Sequence, residues 1–345
     1  MQSILMVGEQ RSGSNLLRLI LNSSPEVAAP HPPHILQNLM PLMAEYGDLS
    51  NETIMMRLVD DVCRIVENNP VTWENIDKFD RHSVRNLCRE NSLIAVFNAV
   101  MTIYAKCQNA NSWLCKSMQN IRWAKQLNDY LQNAKFIYLY RDPRDVALSF
   151  GKAVIGDKHP FNIAKKWVEL QEYCLDAEKW LPANQFKRVC YEELTSNPDY
   201  VIEDLCDFLG IRFIPEMLNF HRSSEASRTA TQSSLWSNLT QPLMSTNSNK
   251  FINDMPEQHI KIIESVAGKI MDQLGYERHL VQPGSEQTFS THDIELFDKE
   301  NEMHMVKMSK LTDPEDLRRR QKQLNVIKEI KEFICHSPAQ QTATG

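Results

Sequence analysis

The chain has 345 residues, 42% of them hydrophobic and 24% charged, with a formal net charge of −6 at pH 7. That length can bury a full core and allows one large or two modest domains. The acidic balance excludes a general attraction to nucleic acid or to an anionic membrane, and no run approaches the roughly 20 apolar residues of a membrane-spanning helix.

Residues 4–17 read ILMVGEQRSGSNLL. This is an apolar strand (4–7), a polar loop and the start of a helix (14–22). Gly8 and Gly13 have the G-x-x-x-x-G spacing of a loop that cradles phosphate on a helix N-terminus. A nucleotide hydrolase would continue with Lys and then Ser or Thr; here Ser14 and Asn15 follow. The strong cation of the loop is Arg11. The pattern keeps the anion cradle without the usual metal-binding hydroxyl, which points to an anionic nucleotide that reacts without a metal.

The stretch 33–105 reads as a mostly helical insertion, with Leu36, Leu39, Met40 and Met43 at helical spacing. Strands are expected at 112–115, 136–140 and 186–190. Helices follow at 121–131, 144–153 and 199–209. Strands alternating with helices imply an α/β fold with a parallel sheet flanked by helices. Residues 223–253, rich in Ser, Thr and Asn, read as a loop that orders on binding. A helix at 257–274 stops at Gly275. Residues 282–285 form a linker, and 293–333 a charged helical extension with Leu317, Leu324, Ile327, Ile330 and Ile334 on one side. The expected division is 1–281 for the main domain and 282–345 for linker plus extension.

Residues 135–150 read KFIYLYRDPRDVALSF. Arg141 sits at the carboxyl end of a strand, where open α/β sheets place ligands. Ser149 follows about two helical turns later, and Pro143 suits a first helical turn. With these two segments, the chain resembles the PAPS-dependent sulfotransferase superfamily over about 4–280, and looks nearest its protein-tyrosine sulfotransferase-like or bacterial branch. The resemblance implies a P-loop-type fold and 3′-phosphoadenosine 5′-phosphosulfate (PAPS) as co-substrate, without a metal. Arg11, Ser12, Gly13, Ser14, Asn15 and Leu16 would bind the 5′-phosphosulfate, Arg141 and Ser149 the 3′-phosphate, and Tyr191 the adenine. Trp236, Asn238 and Lys250 lie where the family closes over the nucleotide.

The resemblance also implies catalytic residues. Arg11 would stabilise charge on the leaving phosphate, and Lys116, after the strand ending at Cys115, would add a second charge. Aligned on the phosphate loop, the Glu of the tyrosine-specific enzymes falls at Pro32, in the stretch Ala29-Pro30-His31-Pro32-Pro33-His34. His31 and His34 are the titratable side chains in reach, with His31 preferred as general base and His34 able to begin the next helix. Arg144 is expected on an exposed helix face, and Lys158 and His159 in a solvated loop.

The acceptor is expected to be a small molecule bearing a hydroxyl or amine, bound between the helical insertion and the carboxyl edge of the sheet. Nucleic acid and a membrane span are not expected, and the C-terminal helix is where a homo-oligomer would form. The first strand begins almost at Met1, leaving no room for a signal peptide or anchor, so the expectation is a cytoplasmic protein. The eight cysteines, with no C-x-x-C pair, read as reduced thiols, and the sequons at Asn22, Asn51 and Asn238 as chance. The rival readings are a P-loop kinase, which would need ATP and Mg²⁺, and a nucleotide-binding scaffold without catalysis.

Overall fold

The computed structural model describes residues 1–232 and 234–336. In chain order the first elements are β1 (Gln2–Gly8), α1 (Ser14–Asn22), β2 (Val27–Ala28), α2 (Ile35–Leu39), α3 (Met43–Tyr46), α4 (Glu52–Glu67), α5 (Arg81–Leu87) and α6 (Leu93–Cys107). Then come β3 (Ser112–Cys115), α7 (Ala124–Leu131), β4 (Lys135–Tyr140), α8 (Pro143–Gly151), α9 (Pro160–Trp180) and β5 (Phe186–Cys190). The rest is helical: α10 (Tyr191–Ser196), α11 (Pro198–Leu209), α12 (Ser224–Gln232), α13 (Phe251–Asp254), α14 (Glu257–Leu274), α15 (Thr291–Leu311) and α16 (Pro314–His336).

The five strands form one mostly parallel sheet in the order β2-β3-β1-β4-β5. The α/β expectation therefore holds. The chain visits β2 and β3 on one side of β1 before β4 and β5 on the other. The glycine loop thus leaves the strand at which strand order reverses, where α/β sheets bind ligands.

The chain divides into two compact units, with the boundary inside β1. Of the described residues, the first comprises 1–5, 24–134 and 314–336. Its helices α4, α5 and α6 start on side-chain caps. Asn51 Oδ1 accepts from the Thr53 N–H at 2.9 Å to start α4, and Ser92 Oγ accepts from Ala95 at 3.1 Å to start α6. α4 buries Met55, Leu58, Val59, Val62 and Ile65. α16 packs on α4 and buries Ile327, Ile330 and Ile334. Gln323 donates to the Ile65 carbonyl at 2.9 Å, Arg64 pairs with Glu329, and Arg57 sits over the Phe333 ring.

The second unit comprises 6–23 and 135–313. β4 and β5 pair in parallel from Phe136↔Phe186 to Tyr140↔Cys190. One side of its core joins α8, α9 and α14 through Val146, Phe150, Trp167, Ile263 and Met271. α14 ends at Gly275 in the left-handed conformation, as the sequence implies.

Several expectations change. The expected helix at 121–131 begins as a 3₁₀ turn, Met118–Trp123. β2 has two residues, too few to leave a periodic signal. The segment 223–253 is not an irregular loop. It holds α12, α13 and the 3₁₀ turns Ser234–Thr240 and Ser245–Asn247, with Ser223 Oγ accepting from Ala226 N–H at 3.0 Å at the start of α12. The C-terminal extension is two helices, because Pro314 has no N–H to continue α15 and instead opens α16. Leu317 and Leu324 are exposed rather than sharing the buried side of α16.

Candidate functional site

The second unit holds the glycine loop. Gly13 has φ +85°, and a Cβ there would meet the Tyr191 ring at 2.4 Å. Both facts require glycine. Arg11 also has a positive φ, 67°, uncommon for a residue with a Cβ. No side chain caps α1, and no acidic residue lies in its first turn. The amides of Ser14, Asn15 and Leu16 therefore open a helix whose positive end is capped by no side chain and has no acidic residue in its own first turn. Ser14 and Asn15 are buried, and Asn15 Oδ1 accepts from Arg18 Nε at 3.3 Å.

Arg11, Arg141, Ser149 and Tyr191 come together around this loop. Arg11 Nε donates to Ser149 Oγ at 2.9 Å, and Arg141 Nη1 donates to the Arg11 carbonyl at 3.1 Å. The Arg141 guanidinium lies over the Tyr191 ring, 4.3 Å from its centre. Arg141 is 5% exposed. Its Nε and the Ser12 Oγ are buried with no hydrogen-bond partner among the described residues. Lys158 adds to the positive charge. Burial first, and then the nearby Arg11 charge, lower its pKa to about 8 against the opposing pull of Asp157. A cluster of cations and unpartnered donors at a helix N-terminus can take an anion.

Sequence reasoning missed Asn247 and Asp145. Asn247 Nδ2 donates to Tyr191 Oη at 2.8 Å, and its carbonyl accepts from Arg141 Nη2 at 2.6 Å. Asp145 lies 3.6 Å from Arg141 and accepts from the N–H groups of Asn249 and Phe251 at 2.7 and 3.1 Å. These bonds pin the segment 247–251 to α8. Lys250 itself is exposed, as is Asn238, while Trp236 is buried. The RDPRD run signals Asp145; Asn247 has no signal within its polar stretch.

The first unit holds His31, His34 and Lys116. The turn before α2 is fixed from several sides. Trp73 Nε1 donates to the His31 carbonyl at 2.8 Å, and Asn69 Nδ2 to the Pro32 carbonyl at 3.0 Å. The His31 Nδ1 lies 3.0 Å from Asn69 Oδ1. His34 is the residue before α2, with φ 54°, and its N–H donates to Ser117 Oγ at 3.2 Å. Burial of the ring and then the Lys116 charge lower the His34 pKa to about 4. His34 is therefore neutral and a weak proton acceptor near neutral pH. Lys116 is buried and follows directly on β3, whose last residue, Cys115, is approached at its sulfur by Asn120 Nδ2 at 3.7 Å.

Three exposed-surface expectations are corrected. Arg144 is 2% exposed and bridges Asp142 and Glu264, both at 2.6 Å. Lys158 is buried, with Nζ donating to the carbonyls of Ile155 and Gly156 at 2.7 Å each. His159 is buried and caps α9 by accepting from the Phe161 N–H at 3.3 Å. Some of these partners are near in sequence, but burial is completed by distant helices: Glu264 of α14 meets Arg144, and Asn301 Oδ1 of α15 accepts from the N–H groups of Lys158 and His159 at 2.6 and 3.0 Å. Seven cysteines are free; the Cys335 side chain lies outside the described ones. Among the described residues, no His, Cys, Asp and Glu side chains are grouped to hold a metal ion, and no helix is long and apolar enough to cross a membrane.

A model described as "Sulfotransferase family" matches residues 3–215. Human Sulfotransferase 2A1 is 34% identical over 107 residues, which cover 26% of this chain and 36% of that protein's length. The chain thus matches little more than a third of this relative. Two solved structures are similar in fold. The sulfotransferase domain of the Synechococcus PCC 7002 olefin synthase aligns over 80% of this chain and 94% of its own, with TM-score 0.52 and 19% identity. The sulfotransferase domain from the curacin biosynthetic pathway aligns over 81% and 99%, with TM-score 0.55 and 21% identity.

Proposed function

This chain belongs to the sulfotransferase family, and from that premise we propose that it moves a sulfuryl group from PAPS to a hydroxyl or amine of a small-molecule acceptor by in-line displacement. The observation that carries the reading is the convergence of Arg11, Arg141 and Ser149 at the uncapped end of α1. The buried Ser12 Oγ and Arg141 Nε, without partners among the described residues, fit an anion at this place. Residues Arg11 to Leu16 would hold the 5′-phosphosulfate, Arg141 and Ser149 the 3′-phosphate, and Tyr191 the adenine. When bound, this co-substrate supplies an activated sulfuryl group with a nucleotide phosphate as its leaving group.

The chain's own residues then have distinct tasks. Arg11 carries a fixed positive charge that complements developing negative charge. Lys116 adds a second charge. His31 removes the acceptor proton, a role for which the low pKa disfavours His34. The seven free thiols support a reducing, cytoplasmic setting. Self-association, if the protein is a homo-oligomer, is assigned to the exposed Leu317 and Leu324 of α16.

The experiment is ligand-induced stabilisation. 3′-Phosphoadenosine 5′-phosphate at ~100 times its dissociation constant should add about 2.7 kcal/mol, and ADP at the same concentration much less. Equal stabilisation by both would overturn the assignment of two phosphate sites.

A further inference from the structure

We propose that Asn69 is a positioning residue that locks the His31 imidazole with its proton on Nδ1 and its lone pair on Nε2. The inference rests on the reading of His31 as the base, and it names the device that makes His31 chemically ready.

The argument turns on two backbone groups. The Val71 N–H can only donate, and it donates to Asn69 Oδ1 at 3.2 Å. The Pro32 carbonyl can only accept, and it accepts from Asn69 Nδ2 at 3.0 Å. Together they fix which end of the amide is oxygen and which is nitrogen. The His31 Nδ1 then faces an oxygen, at 3.0 Å. An amide oxygen has no proton to give, so Nδ1 is the donor. In the neutral ring the lone pair is left on Nε2, the form a proton acceptor needs.

The position of Asn69 is itself held. It is 5% exposed and stands two residues beyond α4, with its N–H donating to the Val66 carbonyl at 3.0 Å. The backbone of His31 is held separately by Trp73, whose ring packs 4.8 Å from that of Tyr104. The helical insertion therefore supplies both the orientation and the tautomer of His31. An amide suits the place because it donates and accepts through two atoms of one plane. A carboxylate can only accept, and alanine does neither.

The test is long-range ¹H–¹⁵N spectroscopy of the histidine rings in the full chain above neutral pH, with the His31 signals identified by their loss in His31→Gln. The proton should sit on Nδ1 in the wild type and in Asn69→Asp, which keeps an acceptor. In Asn69→Ala the Nε2-protonated form should appear. Turnover should fall in Asn69→Ala, by no more than the roughly 10²–10⁴-fold that a general base contributes, and Asn69→Asp should restore part of it. Nucleotide affinity should stay within about twofold in both. A wild-type His31 protonated on Nε2 would overturn the proposal without any variant having to fold. So would an Asn69→Ala protein with the wild-type tautomer and turnover. Full turnover in His31→Gln would instead sink the base assignment, and with it the catalytic meaning of the lock, whatever the tautomer.

Discussion

Arg11 donates through Nε to the Ser149 hydroxyl at 2.9 Å, although 138 positions separate them in the chain. Arg141 closes the arrangement from the same segment as Ser149 by bonding the Arg11 carbonyl. The glycine loop and the RDPRD segment are thus one constellation, and a substitution in either should be felt at both.

Kinetics should separate their roles. On the proposed roles, Arg141→Ala should raise the Michaelis constant for PAPS with little change in turnover, because its contact with the 3′-phosphate would be the same in ground and transition states. Arg11→Ala should lower turnover too, since in the proposed displacement the charge opposite it would grow. Steady-state rates with any competent acceptor decide it. A change confined to the Michaelis constant in both variants would remove Arg11 from the chemistry.

Gly13→Ala should abolish nucleotide binding. The left-handed φ costs a Cβ-bearing residue roughly 1–2 kcal/mol, and the new methyl would lie 2.4 Å from the Tyr191 ring. Adding Tyr191→Ala should relieve the collision but not the backbone strain. The double variant should therefore unfold at a higher temperature than Gly13→Ala alone while still binding poorly. Wild-type affinity in the single variant would show that the loop tolerates the methyl.

His34 should make the protein acid-sensitive. Burial and the Lys116 charge hold its pKa near 4, below the ordinary 6.5. The unfolded chain therefore takes up the proton first, so stability is full above pH 6.5 and falls as pH drops toward 4. At 1.36 kcal/mol per unit, the loss is about 3 kcal/mol. Asn tolerates the left-handed backbone at this position, so His34→Asn should fold and lack this component. Urea unfolding at pH 7.5 and 4.5 measures it; equal losses in the two proteins would place the acid sensitivity elsewhere.

The Arg144–Asp142–Glu264 triad should be a stability determinant. Its guanidinium joins Asp142 and Glu264 in a buried setting and lies 3.9 Å from the centre of the Phe251 ring. Burial works to raise the Glu264 pKa, yet the N–H groups of His279, Leu280 and Val281, with Arg144, hold it below the usual carboxylate range. Arg144→Met leaves two buried carboxylates without their counter-ion and should cost roughly 3–5 kcal/mol. Adding Glu264→Gln should recover part of that. Chemical denaturation of the single and double variants reads the coupling.

The contrast between Arg11 and Arg144 marks what the sequence by itself determined. The spacing of Gly8 and Gly13, the apolar run before them and the helix after them are local. They specify strand, loop and helix within about 15 residues, because backbone geometry there depends on each residue and its near neighbours. The same holds for Pro143 opening α8 and Gly275 ending α14. Arg144 looks like a surface residue because its sequence neighbours are polar; only the fold brings Glu264, 120 positions away, into contact with it. Asn247 beside Tyr191, and Asn69 beside His31, were likewise decided by tertiary structure. A side chain's polarity can be read in one dimension. Its protonation, burial and partner depend on which distant groups share its space, and only the folded chain sets that.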